Sequence, residues 1–132
     1  MKNVIRWLAI IPGAVLAWYA AMIIAVTIHM LLARFCAAQD MVSGVCITDW
    51  YLIAGEVVVC FGTGLSALLV VLICAVIAPT HKIAVAWVAF AVGASIAIYM
   101  GVVSDSYGAR TTALIVGLAT ATMVHRRLAK TL

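Results

Sequence analysis

The chain reads as an all-α membrane protein with four transmembrane helices in an antiparallel bundle and both termini cytoplasmic. Three observations predict this. Of its 132 residues, 68% are hydrophobic and only 9% charged, where a soluble domain carries about a quarter charged residues. The apolar residues fall into runs of about twenty or more, the length needed to cross a bilayer. Polar, Gly- and Pro-containing segments separate the runs, so the domain is a single unit, 1–132. Its helices are expected at about 7–33, 50–78, 83–103 and 107–125, with a loop at 34–49.

The opening MKNVIR places Lys2 and Arg6 ahead of the first run. A basic start and an apolar centre also describe a signal peptide, but 7–33 is longer than the 7–15 residues typical of that apolar region. An uncleaved first helix is expected, with Pro12 near its start favouring a bend. The second run is interrupted only by Glu56 and ends at Pro79, which makes APTHK a tight connection. SDSYGAR, residues 104–110, is a short polar turn before the last and shortest run. The tail HRRLAKTL is basic and interfacial.

Orientation follows from the basic residues. Lys2, Arg6, Lys82, Arg126, Arg127 and Lys130 belong to one side, and Arg34 and Arg110 to the other. Six against two places both termini inside under the positive-inside rule. The location expected from this is a bacterial cytoplasmic (inner) membrane. The six are assigned to lipid headgroups. Trp7, Trp87, Trp50, Tyr51 and Tyr107 near the run ends read as interfacial anchors.

That topology puts Cys36 and Cys46 in the outer loop, where an oxidising compartment sustains a disulfide. Closing so short a loop would restrict the unfolded chain by about 2–3 kcal/mol. Cys60 and Cys74 read as small apolar packing residues.

His29 and Glu56 lie at matching depth, about 5–9 Å below the outer surface at 1.5 Å per residue. A carboxylate in hydrocarbon normally faces the bundle and finds a partner. An intramembrane polar cluster of Glu56, His29 and Arg34 is therefore expected, and it either registers helix 1 against helix 2 or binds a proton or cation. Asp105 and Arg110 bracket the other outer turn as a solvated pair. Small residues recur every fourth position in three runs: Gly13, Ala17, Ala21, Ala25; Ala89, Gly93, Ala97, Gly101; and Ala109, Ala113, Gly117, Ala121. Such rows let membrane helices approach closely.

No nucleophile constellation, cofactor motif, metal-ligand cluster or clustered basic reading face appears, so no catalytic residue, metal, cofactor or nucleic-acid partner is assigned. The sequence reading is a non-catalytic accessory, regulatory or interaction subunit, partnered by the bilayer and by another membrane protein or a second copy of itself. The alternative is a small homo-oligomeric transporter or channel using Glu56 as its proton or cation site.

Overall fold

The computed structural model describes residues 2–104 and 106–130, including all their side chains except those of Lys2 and Asn3. In chain order it contains α1 (Lys2–Leu8), α2 (Ile10–Ala33), a 3-10 turn (Ala38–Asp40), β1 (Met41–Val42), β2 (Val45–Cys46), α3 (Asp49–Ile77), α4 (Lys82–Val103) and α5 (Tyr107–Ala129). Val4–Ala33, α3 and α4 are long and apolar enough to cross a membrane. The expected fourth span corresponds to α5, which matches the others in length but carries four threonines and three arginines.

α1 and α2 run almost as one rod. Ala9 N–H donates to Ile5 and Gly13 N–H donates to Ala9, so helical bonding continues past the junction. The break falls at Ala9 because Pro12 has no N–H to return to the carbonyl of Leu8, four residues back.

The layering follows from two glycines on α3. Gly62 and Gly64 are two residues apart, about 200° around the helix, and so face opposite ways. A Cβ at Gly62 would stand 2.7 Å from the Ala25 Cβ of α2, and one at Gly64 would stand 3.1 Å from Thr112 Cγ2 of α5. α3 is therefore the middle layer, with α2 on one face and α5 on the other. α4 closes against α5 and α3. The bundle is therefore layered, with α2 at its edge: among the long helices α2 packs extensively along α3 alone.

Neighbouring elements run in the directions that short connections impose. Gly13 meets Ile77, Ala25 meets Gly62, and His29 meets Gly55, so α2 and α3 are antiparallel. Gly101 lies under Arg110 and Gly117 under Phe90, so α4 and α5 are antiparallel as well. At the 78–81 end, Val71, Ala75, Ala86 and Ala121 form the buried core, with Trp87, Phe90 and Val124 packed around it. Trp87 therefore contributes to the core, not only to an interfacial belt.

Arg6 departs from the headgroup role expected of it. Its Nε donates to the Ile77 carbonyl at 3.1 Å and its Nη2 donates to the Val76 carbonyl at 3.3 Å. The last carbonyls of a helix have no intrahelical partner, and a cation there also meets the negative end of the helix dipole. Arg6 thus ties the start of the chain to the end of α3. We predict that Arg6→Gln lowers stability in detergent by about 1.5 kcal/mol, the lower end of the range for hydrogen bonds from a charged donor because Arg6 is exposed. Denaturant titration of the two proteins checks this, and superimposable curves would refute it.

Candidate functional site

The end of the stack opposite the Arg6 contact carries most of the polar side chains, and its frame is covalent. α2 closes with i→i−3 bonds from Arg34, Phe35 and Cys36, and a disulfide joins Cys36 to Cys46 with their Cα atoms 6.1 Å apart. Between them lies a two-stranded hairpin pairing Met41 with Cys46 and Val42 with Val45. Its turn residues, Ser43 and Gly44, have φ of 51° and 81°. Positive φ at both central positions suits the right-handed twist of a two-residue hairpin. The sequence reading had only a polar loop here, although Ser-Gly between valines is a turn signal.

Cys46 is 1% exposed, and its sulfur, oxidised in the bridge, accepts from the Thr48 hydroxyl at 3.1 Å. α3 begins immediately after, and in its first turn Tyr51 turns inward. The Tyr51 hydroxyl is 2.9 Å from His29 Nε2, and the two rings are 5.2 Å apart. A Cβ at Gly55 would stand 3.4 Å from His29 Cε1, so the imidazole lies over this glycine, one turn beyond Tyr51. Tyr51, expected to anchor in lipid, is instead 7% exposed and holds α2 against α3.

Glu56 belongs to a different neighbourhood. It follows Gly55 by one position, about 100° around α3, and that step turns its exposed side chain from α2 toward α5. A Cβ at Gly108 would stand 3.3 Å from Glu56 Oε1 and 3.1 Å from Cys60 Sγ. The carboxylate lies at the N-terminal turn of α5, where the helix dipole favours negative charge. The cluster expected of Glu56, His29 and Arg34 is therefore divided: His29 is given to Tyr51, Glu56 to the start of α5, and Arg34 is exposed at the end of α2. No ion pair joins the three among the described residues. His29 lies level with Gly55, the residue before Glu56, but the angle around α3 sends the two ionisable groups to different helices.

The turn between α4 and α5 is dominated by Arg110. Its guanidinium stands 4.8 Å over the Tyr107 ring, and its stem covers Gly101, whose added Cβ would meet Arg110 Cβ at 2.8 Å. Asp105, the partner expected for it, lies outside the described residues. One turn deeper, the Thr63 hydroxyl points to the carbonyls of Cys60 and Ala109, at 3.0 and 3.2 Å, linking α3 to α5. This contact leaves no mark in the sequence, because both acceptors are backbone carbonyls.

Of the remaining headgroup residues, Lys82 is half-buried at the start of α4, while Arg126, Arg127 and Lys130 are exposed on α5. The side chain of Lys2 lies outside the described set. Free thiols remain at Cys60, half-buried, and Cys74, buried. Among the described residues no three His, Cys, Asp or Glu side chains gather where they could hold a metal ion. Open hollows in the surface include one of about 220 Å3 where α3, α4 and α5 meet near Arg110 and one of about 270 Å3 along the last turns of α5. No family model matches the chain, and no curated protein or solved structure matches it.

Proposed function

We propose that this chain is a four-span membrane protein with both termini on the cytoplasmic side of a bacterial inner membrane, serving as a non-catalytic interaction or regulatory subunit. Its partner is another membrane protein, or a second copy, seated on the outward face of α4.

One observation carries this reading. Of the nine glycines, seven lie against a neighbouring side chain and Gly44 forms the hairpin turn, while a Cβ at Gly93 would meet nothing within 4 Å. Glycine inside a helix costs about 1 kcal/mol relative to alanine, and elsewhere in these helices close approach of a neighbour offsets that cost. At Gly93 the isolated chain supplies no neighbour. Val88, Val92 and Ile96 flank the position and are exposed, so a helix could approach the α4 backbone here by the contact that small residues allow in membranes.

The fourth span is supported by the way α5 accommodates its polar residues. Thr111, Thr112, Thr120 and Thr122 each donate a hydroxyl proton to a carbonyl three or four residues back. Internal satisfaction is what a polar group needs in hydrocarbon. At 23 residues α5 is about 34 Å long, enough to cross. The transporter reading has less support, because Glu56 and His29 address different neighbours and line neither hollow.

Gly93→Leu tests the docking face. In mild detergent the native chain is expected to migrate in a complex larger than 13.9 kDa, and Gly93→Leu to migrate as the free chain. Gly93→Leu should keep or slightly raise thermal stability, since leucine is the better helix former. A native chain that is monomeric both in detergent and by cross-linking in its membrane would end the proposal.

A further inference from the structure

The acidic residues gather at one end of the protein, where Arg34 and Arg110 also lie. All four acidic residues, Asp40, Asp49, Glu56 and Asp105, fall in or near the 34–49 and 104–106 connections, and none occurs in the twenty-seven positions after Asp105. The opposite end gathers Arg6 at the α3 terminus, Lys82 at the start of α4, and Arg126, Arg127 and Lys130 at the end of α5. These basic residues are not equivalent. Arg6 is engaged with the α3 carbonyls and Lys82 is half-buried. Arg126, Arg127 and Lys130 instead converge on the 270 Å3 hollow, whose remaining wall is Ala119, Thr122 and Met123.

The hollow lies on one helix face at spacings of three and four residues. The residues that pack α5 into the stack, Gly117, Thr120, Ala121 and Val124, point the other way. It therefore opens toward whatever surrounds the protein. Its chemistry is graded along the helix: three cations occupy the last two turns, while Thr122, Met123 and Ala119 continue it toward the middle of α5. The Thr122 proton is committed to the Ala119 carbonyl at 2.9 Å, so the donors offered to a ligand are those of the guanidinium and ammonium groups. Guanidinium presents a planar fork that matches phosphate oxygens.

We propose that Arg126, Arg127 and Lys130 form a binding site for the phosphate of one anionic glycerophospholipid, with its acyl chain lying over Ala119 and Met123. A soluble phosphate would use the cations and leave the apolar wall idle. A zwitterionic lipid would bring its own cation against three others. The charge complementarity selects a lipid with net negative charge, as basic clusters next to a membrane span do generally. The site rests on the reading of the chain as a membrane protein but is independent of any partner at Gly93.

The test uses the full chain in detergent with dioleoylphosphatidylglycerol or dioleoylphosphatidylcholine added, and native mass spectrometry counts the lipids retained. One phosphatidylglycerol is expected to stay bound, with phosphatidylcholine at least tenfold weaker. Loss of affinity should be about fivefold for each cation removed and on the order of a hundredfold for Arg126→Gln, Arg127→Gln and Lys130→Gln together. Lys82→Gln and Gly93→Leu should each change it by less than about twofold, since neither residue lines the hollow. Should the triple variant fail to fold, Arg127→Gln alone must still show its fivefold loss. Equal retention of the two lipids, undiminished binding by the folded variants, displacement of phosphatidylglycerol by millimolar inorganic phosphate, or tighter binding of an oligoglutamate peptide would each overturn the proposal.

Discussion

Gly62→Leu is expected to separate α2 from α3. At Gly62 even a Cβ would approach the Ala25 Cβ to 2.7 Å, closer than packed carbons come, and leucine adds three more carbons in the same direction. Overpacking a close contact costs about 1–3 kcal/mol where neighbours can yield. Here they cannot yield locally, because Ala25 is already minimal and both atoms hang directly from helix backbones. α2 also has no second long helix to lean on, so relief comes from moving the whole helix. That motion breaks the His29–Tyr51 bond a turn or more farther along. We predict a loss of about 3 kcal/mol or more in denaturant titration from micelles, with α2 becoming accessible to protease. Gly62→Ala should lose about 1 kcal/mol, and adding Ala25→Gly should restore most of it by moving the methyl group across the same interface. If Gly62→Leu unfolds with the native midpoint, the layering argued from Gly62 and Gly64 is wrong.

The same geometry explains how far the sequence could be read. Helix existence was legible because apolar run length is the physical requirement for crossing a bilayer, and α2, α3 and α4 lie within the expected runs to within a few residues. The last helix continues to Ala129, beyond the expected end near 125. Arginine and lysine are good helix formers and favourable at a C-terminus, so a basic tail does not mark a stop. The register of α2 against α3 was legible too, since it depends only on counting from the run ends, and His29 does lie level with Gly55. Angle around the helix was not. Gly55 and Glu56 are level to within about 1.5 Å, yet that single residue step sends Glu56 to α5 while Gly55 stays with His29. Rows of small residues mislead for the same reason. A step of four residues turns about 40°, so Ala89, Gly93, Ala97 and Gly101 sweep around α4 until Gly101 lies under Arg110 and Gly93 is left open. The Arg6 contact was out of reach altogether, because its acceptors are backbone carbonyls seventy residues away, and carbonyls leave no mark in a sequence.

Removing the disulfide is expected to cost nearly as much as Gly62→Leu, by acting on the unfolded chain. Cys36 and Cys46 are ten residues apart, and closing a loop of that length stabilises by about 2–3 kcal/mol on chain-entropy grounds. In this fold the bridge spans the junction between α2 and α3, whose interface continues through the His29–Tyr51 bond to Ala25 and Gly62. Cys36→Ser with Cys46→Ser should therefore lower stability by roughly 2–3 kcal/mol while leaving the helical content unchanged. Reductant should have the same effect on the native chain and none on the double variant. Its action at the Cys46 sulfur should also be slow below the unfolding transition, because Cys46 is 1% exposed. A double variant as stable as the native protein would mean that the hairpin and the His29–Tyr51 bond already hold the junction without sulfur. Combining the cysteine changes with Tyr51→Phe separates the two contributions. If the bridge acts mainly through the unfolded state, the losses should add, and if the bridge positions the His29–Tyr51 pair, the combined loss should fall short of the sum.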